Sequence, residues 1–169
     1  MMWSKLKSRI EAGFADCLKG RVEIWNTRYR GAHDQEGEGW ITIDGERIHS
    51  MSSLSFIIAR NKLSLKYRSD EGLSVHEAWE KAEDRLEASG TMSLGGFNAA
   101  LFDYLNLSID DALASEKSMT RAFAMLDRRL GKRRLQSYDL RHEAELVCIF
   151  HQIRCALEGI NLDRPERQV

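Results

Sequence analysis

The spacing of apolar residues changes period along the chain, and the elements follow from it. Ser4 to Leu18 repeats Leu6, Ile10, Phe14 and Cys17 or Leu18 at helical spacing, with Lys5, Lys7, Arg9 and Glu11 outside. Gly20 is a fitting stop for that helix. Arg21 to Arg30 then switches to a period of two, Val22, Ile24 and Asn26 alternating with Glu23, Trp25, Thr27 and Tyr29. Both faces carry bulk, which predicts a strand covered on both sides. A glycine-rich turn segment, residues 31–39, leads to a second strand, Trp40 to Ile43. Asp44-Gly45 is the strongest local signal: a two-residue type I′ hairpin turn. Leu54 to Ile58 extends the third strand or forms a fourth, while FIIAR, residues 56–60, reads equally as strand or as helix start. Leu63, Leu65 and Tyr67 alternate as a further short strand within Asn61–Ser69.

From there the period is helical. Ser74 to Glu77 is a capping box. Behind it, Val75, Ala78, Trp79, Ala82 and Leu86 make a buried stripe, with Glu77, Glu80, Asp84 and Glu87 on the acidic outer side. Leu94 to Leu105 is a helix, and Ser108 caps a short one ending near Ala114. Tyr138 to Glu158 reads as a last helix, apolar on most sides and therefore central. The fold class is α+β: an N-terminal helix and a small antiparallel β-meander, then a C-terminal helical bundle with the look of HEAT-like helix pairs. Residues 1–70 hold the helix and sheet, 71–160 the bundle, and 161–169 a flexible tail, together one compact domain.

The densest positive charge lies between these elements, in EKSMTRAFAMLDRRLGKRRL, Glu116 to Leu135. Met119, Ala122, Phe123, Leu126 and Leu130 fall within about 100° of helical arc, a core-facing stripe. Lys117, Arg121, Arg128 and Lys132 fall within about 60° on the other side. Gly131 predicts a break, after which Arg133 and Arg134 project from a turn or a new helix start. Two readings stand side by side. One is a solvated face with cations near a helix C-terminus, which the macrodipole favours. The other is an anion-binding surface including Arg129, because arginine holds carboxylate and phosphate bidentately.

Charge distribution qualifies that second reading. Net charge is −1, so nothing drives the whole chain towards nucleic acid or membrane. Residues 1–70 carry +3, 71–116 carry −8 and 117–169 carry +4. An acidic middle beside a basic C-terminal part predicts mutual neutralisation, within one molecule or between copies. Cys17, Cys148 and Cys155 lack motif spacing and read as reduced, in a cytoplasmic protein. The N-terminus has no apolar run of signal-peptide or membrane-spanning length.

Candidate chemistry is sparse. His33-Asp34, near Arg28 and Arg30, is the best enzyme-like cluster, since a histidine beside a carboxylate can act as a general base. No nucleophile stands beside it, and a polar loop is the stronger reading. His49, His76, His142 and His151 have no metal-ligand spacing, so neither metal nor cofactor is expected. His151 lies on the apolar side of its helix, a hydrogen-bonded core position. Residues 90–96, GTMSLGG, lack the Lys-Ser/Thr of a phosphate loop and read as a linker. Trp25, Tyr29 and Trp40 lie among arginines and can stack on bases, although core packing is the stronger reading.

Several stretches together resemble a known family. They are YLNLSIDDALAS (104–115) running into RAFAMLDRRLGKRRL (121–135), with Thr27 to Arg30, His33-Asp34, Gly39 to Gly45 and the N-terminal WSKLKSRIE. The chain resembles, over nearly its whole length, a family of small uncharacterised bacterial proteins known mainly as structural-genomics targets. The resemblance implies a reproducible fold and a cytoplasmic location, and brings no activity. The family pattern has a Pro before the basic helix, where this chain has Lys117-Ser118-Met119, which leaves the helix start open.

The expectation is therefore a non-enzymatic binding protein. It presents Lys117, Arg121, Arg128, Arg129, Lys132, Arg133 and Arg134, with Arg28 and Arg30, to an acidic protein partner or to another copy of itself. A nucleic-acid-binding protein using the same face is the alternative, and an enzyme centred on His33 and Asp34 comes third.

Overall fold

A computed structural model describes residues 2–28 and 37–161, with Arg28 described in its backbone alone. Helix α1 (Trp3–Gly13) buries Leu6 and Ile10. It ends earlier than its periodicity predicts. Phe14 leaves the helix in extended conformation, becomes fully buried, and forms a β-bridge with Asp127. A 3-10 turn, Asp16–Leu18, completes the segment, and Gly20 takes positive φ beyond it.

Three antiparallel strands follow in the order β1 (Val22–Arg28), β2 (Gly37–Ile43), β3 (Glu46–Ser52). Asp44 and Gly45 both have positive φ, as the type I′ turn requires. One face of the sheet enters the core through Val22, Ile24, Ile41 and Met51. Gly39 lets that face approach closely: a Cβ there would stand 2.6 Å from the Phe97 ring. On the other face Trp25 pairs with Trp40 across the strands, the rings stacked at 6.2 Å. Lys7 lies over Trp25 and Arg47 over Trp40, so this face is covered by cations rather than by core.

The two stretches read as possible strands, Leu54–Ile58 and Asn61–Ser69, form one helix instead. Helix α2 (Ser53–Glu71) starts on a Ser52 side-chain cap and ends at Gly72 in the left-handed region. Alternation at Leu63, Leu65 and Tyr67 misleads because apolar residues surround this helix, and no Gly or Pro interrupts it. Helix α3 (Val75–Ala88) opens on the expected capping box and packs antiparallel on α2. Ala78 and Ala82 are buried as expected, whereas Val75 and Trp79 are exposed, because α2 is narrower cover than a full core.

Helices α4 (Leu94–Leu105), α5 (Ile109–Leu113), α6 (Ser118–Leu126), α7 (Lys132–Gln136) and α8 (Glu145–Glu158) form the rest. Every residue of α6 except Arg121 is buried, and α3, α4, α5 and α8 pack against it. Phe123 sits at the centre, its ring 5.8 to 6.4 Å from those of Phe14, Phe97, Tyr104 and Phe150. Helix α8 begins seven residues later than Tyr138. The intervening segment turns instead, with Arg141 donating to the Asp139 carboxylate and Tyr138 Oη to Glu143. The basic run is also divided: the chain leaves the helix at Asp127, four residues before Gly131, and Gly131 precedes α7 as its N-cap with ordinary negative φ.

Candidate functional site

The joint between α6 and α7, residues 127–131, carries the polar chemistry of the basic run. Asp127 is 2% exposed. Its carboxylate accepts from the Tyr104 hydroxyl, from Arg129 N at 2.7 Å and from Arg129 Nη2 at 2.7 Å. Burial pushes the Asp127 carboxyl up, and the Arg129 guanidinium and Tyr104 hydroxyl more than offset this, holding it below the usual carboxylate range. Burial, and then the Asp127 charge, drive the Tyr104 hydroxyl up. Arg129 also donates to Leu107 O at 2.9 Å.

Arg154, 3% exposed, approaches the joint from α8. Its Nη1 donates to Met125 O and Asp127 O, its Nη2 to Leu130 O at 3.2 Å, and its Nε to Glu158. His151 Nε2 meets Leu135 O at 2.7 Å, as its apolar-side position predicts. The end of α1 is stitched to the same joint: Ala15 N donates to Leu126 O and Arg128 N to Gly13 O. A buried arginine on three carbonyls satisfies groups that a broken helix leaves without partners.

The helical break separates the cations expected on one face. Lys117 pairs with Asp103, and Arg121 pairs with Glu143 while donating to Ser115 O and Glu116 O. Arg129 is held by Asp127. Arg121 and Arg129 serve the fold, and Lys117–Asp103 is a surface pair. Lys132 faces Glu158 at 3.4 Å and Arg134 faces Asp110 at 2.6 Å, both pairs at the surface on the cation side. Arg128 and Arg133 are exposed and make no ion pair among the described residues. Arg128, Lys132, Arg133 and Arg134 therefore form a basic corner on the joint and α7. It borders an open cleft of about 450 Å³ lined by Asp16, Cys17, Arg128, Lys132 and Glu158 among others. The acidic partners are not the outer residues of α3 but Asp103, Asp110, Asp127, Glu143 and Glu158.

Arg30, Tyr29, His33 and Asp34, and the Arg28 side chain, lie outside the described residues. No group of three or more His, Cys, Asp or Glu among the described residues is placed to hold a metal. No helix among them is long and apolar enough to cross a membrane.

The joint holds together residues from α1, α4, α6, α7 and α8, so it spans nearly the whole chain. The family model of the SF0329 protein family matches residues 2–155. The chain belongs to that family. No curated protein matches it, and no solved structure does. Membership in the SF0329 family brings a shared sequence pattern and no activity. In this member the LDRRLGKRRL run has two parts. Asp127, Arg129, Leu130 and Leu135 build the joint, and Arg128, Lys132, Arg133 and Arg134 face outward.

Charge counting misses the residues that organise the joint: Asp127, Arg154 and Tyr104. Arg154 had a signal. It stands four residues after Phe150 and seven after Val147, on the apolar arc of α8, where a charge needs buried partners.

Proposed function

We propose that this is a non-enzymatic, cytoplasmic binding protein that offers the basic corner around α7 to an acidic protein partner. The observation behind this reading is the contrast among its cations. Arg121 and Arg129 are engaged with the carboxylates of half-buried Glu143 and buried Asp127, and Lys117 pairs at the surface with Asp103. Arg128 and Arg133 project without a partner among the described residues, and Lys132 and Arg134 are solvent-exposed on the cation side. Exposed ion pairs contribute only about 0–1 kcal/mol, so a partner's carboxylates can replace them at little cost. Arg154 and the buried Leu130 and Leu135 fix the backbone beneath, so the corner is presented on a rigid support.

Nucleic acid is the second reading, on the same four cations. The sheet aromatics give it little support, since Trp25 and Trp40 stack on each other beneath Lys7 and Arg47. The test is fluorescence anisotropy of the protein with a labelled poly-glutamate peptide and with short single- and double-stranded DNA and RNA, across a salt series. Peptide binding that weakens at least tenfold in Arg128→Ala/Arg133→Ala supports the proposal. Tight nucleic-acid binding with a steep salt slope replaces it with the second reading. No binding of either probe at low salt removes both.

A further inference from the structure

A cleft of about 690 Å³ opens where the start of α1, the second half of α4 and the end of β1 meet. Trp3 and Leu6 line it from α1, Asn26 from β1, and Asn98, Phe102 and Asp103 from α4. It shares no residue with the basic corner or with the cleft beside that corner. Its volume lies in the range of small-molecule sites, about 300–1,000 Å³.

The lining residues depart from the patterns of the elements that carry them. Val22 and Ile24 are buried on the core face of β1. Asn26 is the next residue of that alternation, an amide where the pattern calls for an apolar side chain. On α4, Leu94, Phe97, Leu101 and Tyr104 are buried, whereas Phe102 is 48% exposed. Phe102 stands four residues after Asn98, on the same side of the helix. The two asparagines meet: Asn26 Nδ2 donates to Asn98 Oδ1 at 2.8 Å. A joined pair of carboxamides leaves one carbonyl oxygen and one amide nitrogen over, here Asn26 Oδ1 and Asn98 Nδ2. Neither has a protein partner among the described residues. An acceptor and a donor therefore stand together in a cleft that also carries two aromatic side chains.

This combination narrows the ligand. Asp103 is the one charged lining residue among the described residues, and Lys117 Nζ already holds it at 2.8 Å. No cation lines the cleft, so an anion has no counter-charge there. An aliphatic ligand would strip water from both amides and return no hydrogen bond. What fits is flat and uncharged, with a donor and an acceptor adjacent on one edge.

We propose that this cleft binds a nucleobase, its ring against Trp3 and Phe102 and its donor–acceptor edge on Asn26 Oδ1 and Asn98 Nδ2. A carboxamide reads adenine by the same two-point contact, accepting from N6 and donating to N7. Aromatic side chains stack on the face of any base. The base can come free, in a nucleoside or nucleotide, or from a single strand.

The inference is independent of the acidic partner proposed for the basic corner, and either can fail alone. The test is titration of the whole chain with the four common ribonucleosides at millimolar concentration, followed by proton–nitrogen NMR correlation spectra. At least one nucleoside is expected to shift the Trp3 indole N–H and the Asn98 side-chain amide, while the indoles of Trp25, Trp40 and Trp79 stay in place. Phe102→Ala, at an exposed side chain, is expected to weaken that binding at least fivefold with unchanged circular dichroism. Asn98→Ala is expected to do the same by removing the donor. Arg128→Ala/Arg133→Ala is expected to bind the nucleoside as the unmutated protein does, which separates this site from the corner. The nucleoside, its 5′-monophosphate and the matching homo-oligonucleotide distinguish the sources. Equal binding of all three assigns a free base, and an oligonucleotide at least tenfold tighter, with the same Trp3 shift, assigns a strand. Spectra unchanged by all four nucleosides, shifts that leave Trp3 in place, or a Phe102→Ala protein that binds like the wild type would each overturn the proposal. So would benzyl alcohol binding as tightly as the nucleoside, since the amide edge would then read nothing.

Discussion

Two parts of this molecule join helices, and they do so by opposite means. The α6–α7 joint is a buried polar structure. Its carbonyls at Met125, Asp127 and Leu130 are met by Arg154, its carboxylate by Tyr104 and Arg129, and its apolar side chains are fully enclosed. The α2–α3 hairpin has alanines at its own interface, a pair of surface cation–aromatic contacts, and leucine and isoleucine facing out. The difference teaches where charge and hydrophobicity are informative. In the joint, charged residues are structure. In the hairpin, apolar residues are surface.

Substitutions that exchange these roles should separate the two regions most. Arg154→Ala removes the guanidinium from three carbonyls and from the nearly buried Glu158. A loss of about 3–5 kcal/mol in urea unfolding is expected, as for removing one partner of a buried pair. A loss under about 1 kcal/mol would mean that water replaces the guanidinium and that the joint is open. The next contrast uses one chemistry at two places. Leu130→Ala, in a fully buried position, should cost about 2–5 kcal/mol, whereas Leu65→Ala should stay within about 0.5 kcal/mol in the monomer. Equal losses at both positions would erase the distinction between the regions.

The same contrast explains which features were legible in the sequence. Turns and caps were, because their signals are local: Asp44-Gly45 adopts its type I′ geometry and Ser74 with Glu77 closes its capping box. The α+β order and the apolar stripe of α6 followed from periodicity alone. Helix α2 was not legible as one element. Its apolar residues serve two surfaces, one towards α3 and one outward, so no single stripe emerges and short windows mimic strands. Nor was the end of α6 at Asp127. That break depends on Tyr104 and Arg154, residues distant in sequence that make leaving the helix favourable. A basic column was read from a continuous helix, and the tertiary partners divided it into structural and exposed cations.

Overpacking tests the dense side of the comparison from the other direction. Gly39 faces Phe97, itself fully buried against Phe123, and an added Cβ would stand 2.6 Å from the ring. Gly39→Ala is expected to cost about 1–3 kcal/mol, read as a lowered urea midpoint at unchanged slope. A neutral outcome would show that β2 and α4 can separate slightly without loss, and that the core is less tightly specified than the hairpin surface suggests by contrast.

The smallest expected effect lies where the end of α3 meets the sheet. His49, on β3, reaches Gly90 O at 3.1 Å, just beyond the end of α3. Burial pushes its imidazole below the ordinary 6.5, against the smaller opposing effects of the Gly90 carbonyl and the Glu145 charge. The unfolded chain therefore binds a proton there before the folded chain does. Stability from this group is fully present above about pH 6.5 and falls as pH drops towards the folded value. Asp127 and Glu158, both held below the ordinary carboxylate range, have the same sign but act only below about pH 4, so the stages are separable. His49→Gln keeps an amide donor for Gly90 O and cannot titrate. Melting temperatures of the two proteins should run parallel from about pH 8 to 7 and diverge below about pH 6.5, with the wild type falling faster. Curves that stay parallel to about pH 5 would mean that His49 accepts its proton in the folded state, and that the contact between the hairpin and the body is open to water.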